Sequence, residues 1–524
     1  MISPMLRSAA CLLAIGLVGC TGRDPNDKTL RIALQDDPKS LDCAIGYSIS
    51  TWGLYHMLYE TLVTYDFDSK VVPALAASWK VEDGGKRYVF TLRDGAKFHD
   101  GRPVSSKDVV YSFQRMLDPK TKCPGSSFYE SIVGVDAFRK GKAPTIAGVT
   151  APDAKTVQIV LTAPNLVFLQ LLAMPFASAV PDGASSDDLA KAPIGSGRMK
   201  FGSWQSGQSI KLTRNPDFPG NTPAGPESVE YVLGVNENLE VLKFERGELD
   251  LLGVNRGIPA ADYAWLRGNP KWTKLMLDAP DAAFYYVTLN CRVPPFDNLK
   301  VRRAVAHAID KARVVKLVNG RGQVAPGILP PPMPGYNKDL QGIPYDPAKA
   351  KQLLAEAGFP NGFSNTFYCV NSDSTAKVAQ SIQQDLGKVG IKLDLKALAF
   401  PSYLDAKATP GRVAIGSGNW SQDFPDPSNF LTTMFSSKNI KPTESLNDSY
   451  YTNPKVDALL DGADVEGDTQ KRLKLYQEAE ALIVADAPVV PLYYPLKVQM
   501  HAERVHGYKL HPIWGVELAG VEVK

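Results

Sequence analysis

The sequence predicts an α/β protein with two or three domains. Short segments in which apolar and polar residues alternate, typical of strands, are interspersed along the chain with amphipathic helical segments. This order is typical of α/β folds. The length of 524 residues exceeds what one hydrophobic core usually serves. Composition is that of an ordinary globular protein, and the formal net charge of +3 is too small to indicate nucleic-acid binding.

The N-terminal segment has the pattern of an export signal. Arg7 precedes an apolar run at 9–18, and small residues then lead to Cys20. This order resembles a lipobox, so we expect residues 1–19 to be a signal peptide and Cys20 to be lipidated. A plain signal peptide or a short buried helix is the alternative. Residues 20–28 are polar and contain Gly and Pro, which suits a tether to a membrane.

The segment from residue 78 to residue 115 predicts two strands and a helix. Tyr88, Phe90 and Leu92 alternate with other residues, the period of a half-buried strand. Ser105 or Ser106 is a candidate helix N-cap. Arg93-Asp94-Gly95 and Asp100-Gly101 are typical turn residues. The apolar face of the predicted helix consists of Val109, Val110 and Phe113.

Similar patterns predict the other elements. We expect strands at 29–34, 209–213, 229–233, 391–398 and 413–416. We expect helices at 49–63, 238–245, 301–308 and onward, 346–357, 374–389 and 470–485. The prolines between 326 and 334 exclude a helix or a central strand, and we expect a fixed surface connection there.

Four cysteines follow the predicted lipidation site: Cys43, Cys123, Cys291 and Cys369. Outside the cytoplasm they can form up to two disulfides in three possible pairings, or they can stay free as buried thiols. Their spacing does not match a metal site. His501, His506 and His511 recur every five residues, a spacing that alternates faces on a strand, so we expect surface or packing roles.

Sequence motifs of catalysis are missing from the chain. It contains no nucleophile elbow, zinc-protease motif, phosphate-binding loop or dinucleotide fingerprint. We therefore expect neither an enzyme nor a cofactor. A secreted hydrolase is the hypothesis from a different class, and turnover of a peptide library would be needed to support it.

Residues 78–115 read SWKVEDGGKRYVFTLRDGAKFHDGRPVSSKDVVYSFQR and resemble the signature of family 5 extracytoplasmic solute-binding proteins. These are the oligopeptide- and dipeptide-binding receptors of ABC importers. Six further segments match in family order: 40–63, 192–201, 211–220, 294–311, 325–336 and 419–435. In APIGSGRMKF, Arg198 and Met199 replace a proline and a tyrosine of the family motif.

The resemblance implies a periplasmic-binding-protein-like clamp of type II, similar to cluster C. Two lobes close on the ligand about a hinge, and an extra domain is attached to the first lobe. The implied limits are 29–71, 193–283 and 500–524 for lobe I, 72–192 for the extra domain and 284–499 for lobe II. The implied function is capture of a peptide by a monomeric receptor, which delivers it to a membrane permease.

The strongest candidate site residues are Trp420 and Asp423, with Asn419 beside them. We expect them on an irregular loop at a strand end, where binding residues tend to lie. In peptide-binding members an aspartate three residues after this tryptophan receives the peptide α-ammonium, and Asp423 occupies that position. Trp420 would then cover an apolar side chain, or stack on a cation or a sugar face. Alternatively, Asp423 caps the loop or pairs with an arginine of lobe I, and Asp426 is expected to be a turn residue.

The resemblance adds further candidates from three other segments. Tyr47, Ser48 and Ile49 align with the loop that runs along the ligand backbone, although packing at a helix start explains them equally well. Phe400, Leu404 and Lys407 fall where oligopeptide members have pocket-lining residues. Lys407 would read a ligand carboxylate, with a solvated helix lysine as the alternative. The last candidates, from the extra domain, are Phe128 and Tyr129.

Two departures from the family bear on ligand choice. Some tripeptide receptors have an arginine where this chain has Ser417, and dipeptide receptors fix the ligand carboxylate with an arginine that falls near Cys369 here. Unless Lys407 or Arg412 substitutes, a longer peptide or a ligand without a free carboxylate is favoured. Since the family also takes up oligosaccharides, metal chelates, haem and peptide-like antibiotics, these stay open as alternatives.

Overall fold

The structure is a computed structural model, which describes residues 23, 24, 26–46, 48–254, 257–441 and 445–524. The predicted signal peptide, the lipidation site Cys20 and the candidate Tyr47 lie outside the described residues. No helix in the described ranges combines the length and the apolar character that crossing a bilayer requires.

The first sheet combines the first strand of the described chain with three strands from residues 199–233. Its strands, in spatial order, are Thr29–Leu34, Ser228–Leu233, Ser209–Arg214 and Met199–Gln205. The first two are parallel and in register from Thr29 with Ser228 onward, and the other pairs are antiparallel. Leu30, Ile32 and Leu34 alternate into the core, as the sequence predicted.

The second sheet is antiparallel and comes from the segment between strands of the first. Its strands, in spatial order, are Ala76–Glu82, Arg87–Leu92, Thr156–Val160 and Val149–Thr150. The predicted helix packs on it as Ser106–Leu117, with Ser105 as N-cap and the Ser105 N–H donating to Asp108 Oδ2 at 2.8 Å. Such a capping box satisfies N–H groups that the first helical turn leaves unpaired.

The third sheet has eight strands and surrounds the long strand Val489–His501. This strand pairs with Ala283–Leu289 and Gly322–Val324 near its start, and with Met276–Pro280 and Leu251–Leu252 near its end. The sheet continues through Ile415–Ser421, Ser364–Val370 and Lys392–Leu398. Because Val490 and Met500 belong to different hydrophobic clusters, the long strand connects two separate cores.

Helices cover these sheets, and most predicted ones are present. In chain order they are Ile49–Leu58, Ser106–Leu117, Val135–Arg139, Phe168–Leu171, Ser186–Lys191, Glu237–Glu245, Ala260–Gly268, Pro270–Thr273, Leu299–Ala308, Lys311–Leu317, Pro347–Glu356, Asp373–Lys388, Phe400–Ala408, Leu431–Phe435, Pro454–Val465 and Thr469–Asp486. The short strands Val63–Tyr65 and Val71–Pro73 form a hairpin, and Val505–His506 pairs with Glu522–Val523.

Two predicted elements have the wrong limits. The helix predicted at 49–63 ends at Leu58, because the chain turns there so that the Glu60 carboxylate can pair with both Nη atoms of Arg93. The strand predicted at 413–416 is Ile415–Ser421. It continues through Gly418 because the ring of Tyr286, from the paired strand, fills the space where a side chain would lie.

The proline-rich connection is buried in its first part and exposed at Pro332 and Pro334, so the prediction of a surface connection is wrong for the first part only. Ala325, Ile328 and Leu329 are each 0% exposed. The backbone N–H groups of Ile328 and Leu329 donate to Oε1 of Glu480 at 2.7 and 2.8 Å. A carboxylate on the helix Thr469–Asp486 therefore replaces the backbone partners that a proline-rich segment cannot supply for itself.

All four cysteines that follow the predicted tether are free thiols. Of the two alternatives, the structure therefore has the free thiols and not the disulfides. His511 is buried, and its Nδ1 accepts the N–H groups of Ile513 and Trp514, which is the packing role expected for it. Across the described ranges, His, Cys, Asp and Glu form no group of three arranged to hold a metal ion.

Candidate functional site

Trp420 and Asp423 lie together at the end of the strand Ile415–Ser421. Asn419 and Trp420 are on the strand itself and not on a loop, while Asp423 follows two residues after the strand ends. Antiparallel pairing sets Trp420 opposite Phe284 and Asn419 opposite Tyr285, so these two pairs lie on opposite faces of the sheet. Trp420 and Asp423 are half-buried, and Asn419 is exposed.

Asn429 connects the two candidates, and the sequence interpretation missed it. Its Oδ1 accepts the backbone N–H of Asp423 at 2.9 Å and the indole N–H of Trp420 at 3.4 Å. Its Nδ2 donates to Oδ2 of Asp423 at 3.1 Å. Since Asn429 is 1% exposed, this amide fixes the carboxylate and the indole from the protein side. The only sequence signal was the Asp-Pro-Ser-Asn turn in which it lies.

Asp426 fixes the turn that carries Asn429. It is the N-cap of the 3-10 turn Pro427–Asn429 and accepts the Ser428 N–H at 2.9 Å. Arg472 binds the same carboxylate with both Nη atoms, at 2.7 and 2.8 Å. The interpretation of Asp426 as a turn residue is thus confirmed, and its charge is compensated within the protein.

The loop after Trp420 also contacts the part of the chain that contains the second sheet. Phe424 is 6% exposed, and its ring meets that of Phe128 edge to face, with centroids 6.4 Å apart. The candidate Phe128 therefore lies beside the loop that carries Asp423. Gln422 Nε2 donates to the carbonyl of Pro512 at 3.5 Å, so the C-terminal segment also touches this loop.

Tyr129 does not reach any ligand surface, and its prediction is wrong. The residue is 0% exposed. Its hydroxyl donates to the carbonyl of Leu171 at 2.7 Å, and its ring packs edge to face on Phe113 with centroids 6.0 Å apart. Both contacts are internal to the core beneath the second sheet.

Lys407 is paired inside the protein. It forms an ion pair with Asp448, and the two side chains are 16% and 11% exposed. Tyr286 and Thr288 hydroxyls lie 3.3 Å from the same carboxylate. Burial alone would lower the pKa of Lys407, but the Asp448 charge outweighs it and holds that pKa above its ordinary value. The interpretation as a solvated lysine is therefore wrong, and its charge is already compensated.

On the opposite face of the sheet, Tyr285 and Tyr493 form a stacked pair. Their centroids are 4.7 Å apart with an interplanar angle of 6°. Tyr285 is 36% exposed, and burial raises its pKa. Asp281 and Lys497 lie nearby: burial raises the pKa of Asp281 and lowers that of Lys497, and the two charges partly oppose these shifts. The sequence interpretation missed these residues. The signal that could have found the two tyrosines is that each belongs to a Tyr-Tyr pair in an apolar segment.

Of the other candidates, Ser48 forms no hydrogen bond with this site within the part of the chain that the structure describes, and the side chains of Ile49 and Phe400 lie outside that description. Ser48 is exposed, precedes the helix Ile49–Leu58, and has its hydroxyl 2.7 Å from that of Ser50. Leu404 is 47% exposed on the helix Phe400–Ala408, where Phe400 is the first residue. Their roles in binding stay predictions.

The comparisons with known proteins decide the family. Residues 70–442 match the family described as "Bacterial extracellular solute-binding proteins, family 5 Middle". The chain belongs to this family. The predicted α/β two-lobe clamp with hinge and extra domain is confirmed for the fold class. The domain limits stay a prediction.

Relatives in this family have names that differ in the ligand. Heme-binding protein A of Haemophilus influenzae is 32% identical, with 89% of this chain and 87% of that protein covered. Di/tripeptide-binding protein 2 of Pseudomonas aeruginosa is 30% identical, with 99% of both covered. Among solved structures, Clavulanic acid biosynthesis oligopeptide binding protein 2 has a TM-score of 0.85 and 25% identity over 95% of this chain and 96% of that one.

Proposed function

We propose that the protein is the substrate-binding lipoprotein of an ABC importer, anchored outside the cytoplasm through Cys20. It captures peptides by closure of its two lobes and delivers them to membrane permease subunits, without catalysis. Oligopeptides are favoured over dipeptides. Similarity to family members with di/tripeptide-binding and oligopeptide-binding names supports a peptide ligand.

The observation that carries the proposal is the arrangement around Asp423. A half-buried carboxylate, oriented by Asn429 and adjacent to an indole, suits a peptide α-ammonium beside an apolar first side chain. The ammonium would replace hydration that Asp423 loses when the lobes close, and a charge-assisted hydrogen bond would offset the cost of burial.

The expectation of longer peptides rests on the missing carboxylate partner. Ser417 and Cys369 occupy the positions where shorter-peptide receptors have arginine, and Asp448 compensates Lys407. A dipeptide would thus bring its carboxylate into the cleft without an arginine at either of those two positions to receive it. A longer peptide can extend that carboxylate toward solvent or toward the exposed Arg412.

Closure would bring the loop after Trp420 against the first lobe and extra domain. The contacts of Phe424 with Phe128 and of Gln422 with Pro512 are of this kind. Phe424 belongs to the same hydrophobic cluster as Tyr129, so opening the cleft would also expose this apolar side chain to water.

One observation favours a second candidate function. Since Lys407 is compensated and neither arginine is present, the cleft also suits a solute without a free carboxylate. The same fold would then bind an oligosaccharide, a metal chelate or haem, or a peptide-like antibiotic. One relative is named a heme-binding protein.

Mass spectrometry of small molecules released by denaturing the protein, purified from its native compartment, tests the proposal. Peptides of mixed sequence and narrow length, reduced in Asp423→Asn, are the expected result. A single non-peptide species would contradict the peptide proposal and support the second candidate. Equal loading of wild type and Asp423→Asn would contradict the ammonium-binding role.

A further inference from the structure

A cavity of about 250 Å³ lies apart from the Asp423 site, in the region of the first sheet. The end of the helix Ile49–Leu58, the hairpin that follows it and the C-terminal segment around Leu518 form its walls. Neither Trp420 nor Asp423, nor any residue of the loop between them, lines it. Its contents would therefore not depend on which solute the main cleft takes.

Arg198 is the charged group in this cavity whose donors are largely unused. A guanidinium has about five N–H donors, and within the described chain only Nη1 of Arg198 has a hydrogen-bond partner, Asn221 Oδ1 at 2.8 Å. Its ion-pair neighbour, Glu517, lies 3.9 Å from Nε, beyond hydrogen-bond distance. The side chain is 18% exposed, so these donors lie in a largely enclosed position that solvent still reaches.

Of the other charges that line the cavity, Arg93 and Glu60 compensate each other, whereas Glu517 has Arg198 as its ion-pair neighbour. Arg93 Nη2 binds Glu60 Oε2 at 2.7 Å, and Nη1 binds the other oxygen of the same carboxylate. Glu517 accepts the N–H of Ala519 at 2.7 Å and lies 2.8 Å from Nε2 of His56. Hydrogen bonds lower the pKa of Glu517 to about 2 against the effect of burial, so it is ionised at neutral pH.

Beside Arg198 the cavity is apolar. The ring of Phe218 lies between two guanidinium groups, with its centroid 4.8 Å from Arg198 Cζ and 5.9 Å from Arg93 Cζ. Met57, Pro73 and Leu518 complete the apolar lining. The cavity thus offers hydrogen-bond donors and an apolar surface, and Thr61 and Thr64 add polar groups to its lining.

We propose that this cavity is a second binding site, for a small organic monocarboxylate with an apolar or aromatic body. The carboxylate would accept two hydrogen bonds from Arg198, the geometry for which a guanidinium is suited, and the body would lie against Phe218 and Met57. A single negative charge is favoured over phosphate because Glu60 and Glu517 line the same cavity and would repel a dianion.

Fluorine NMR with 4-fluorobenzoate as the probe tests this proposal on the purified protein. We expect saturable broadening of the probe signal, unchanged by inorganic phosphate. Arg198→Met should weaken binding at least tenfold, and Arg198→Lys, which keeps the charge but loses the paired donors, should lie between. Asp423→Asn, the matched control in the main cleft, should bind the probe like the wild type.

Each other outcome would overturn the proposal. Absence of saturable broadening, or equal affinity of Arg198→Met and wild type, means that Arg198 does not hold a carboxylate there. Loss of binding in Asp423→Asn would assign the probe to the main cleft instead. If Arg198→Met does not show the wild-type melting curve by circular dichroism, the affinity of Arg198→Lys alone tests the proposal. Wild-type affinity in Arg198→Lys would contradict paired hydrogen bonding.

Discussion

The side-chain amide of Asn429 binds Asp423 at two points: Nδ2 donates to Oδ2 of the carboxylate at 3.1 Å, and Oδ1 accepts the backbone N–H at 2.9 Å. Both bonds lie within six residues of chain, in a turn held by Asp426 and Arg472. The carboxylate is therefore oriented before any ligand arrives, which reduces the ordering that binding requires.

Asn429→Ala should weaken peptide binding while leaving the carboxylate in place. Loss of the oriented hydrogen bond corresponds to about 0.5–1.5 kcal/mol, and we expect a rise of about two- to twelvefold in the peptide Kd by isothermal titration calorimetry. Ser428→Ala is the matched control, because the Ser428 hydroxyl bonds Asp426 and not Asp423. If Asn429→Ala and Ser428→Ala bind alike, the amide has no positioning role.

The ion pair between Lys407 and Asp448 should be strongly coupled. Removing one partner leaves a buried charge, so Lys407→Met should destabilise the fold by about 3–5 kcal/mol, whereas Lys407→Met with Asp448→Leu should recover most of that loss. Lys438→Met is the control, because its pair with Asp461 is 68% and 49% exposed and should contribute below about 1 kcal/mol. Thermal unfolding measures all three. Equal effects of Lys407→Met and Lys438→Met would contradict the burial of the pair.

Glu480 should make stability fall as pH rises. Burial raises its pKa to about 7 against the hydrogen bonds from Leu329 and Ile328, while an unfolded glutamate has about 4.3. Between those values the folded protein holds a proton that the unfolded chain has released, so the free energy of unfolding decreases with pH across this window. The decrease is about 1.4 kcal/mol per unit of pKa difference.

Melting temperatures at pH values of about 5 and 8 check this dependence. Glu480→Gln carries no charge at either pH and should lose less stability over that interval than wild type does. Some decline should persist, because burial also raises the pKa of Glu240 to about 7. Glu478→Gln, an exposed position on the same helix, is the control. An unchanged decline in Glu480→Gln would contradict a protonated Glu480 in the folded protein.

Local signals in the sequence were enough for much of the fold. The strand at Thr29–Leu34 followed from its period-2 pattern, and the helix after Ser105 followed from its cap and its apolar face. The strand through Gly418 did not follow, because two glycines argue against a strand until Tyr286 arrives from a distant segment to fill the space. The burial of residues 327–330 in the proline-rich segment could not be predicted either. It depends on Glu480, which is far away in the sequence.

The candidate site shows the same division between local pattern and distant partner. Trp420 and Asp423 were found through a motif, and the structure brings them to one buried amide. Asn429 itself went unnoticed because a turn asparagine usually bonds its own backbone. The prediction for Lys407 was wrong because its partner Asp448 lies on another segment of the chain. The prediction for Tyr129 was wrong because the adjacent Phe128, and not Tyr129, contacts the loop that carries Asp423.

Binding selection from a peptide library tests the central claim, that Asp423 receives a ligand ammonium, most directly. Wild type and Asp423→Asn are each incubated with a mixture of short peptides, half of them N-acetylated, and the retained peptides are counted by mass spectrometry. We expect wild type to retain almost only peptides with a free α-amine, and Asp423→Asn to retain little and without preference. Retention of acetylated and free peptides alike by wild type, or a preserved preference in Asp423→Asn, would contradict the account.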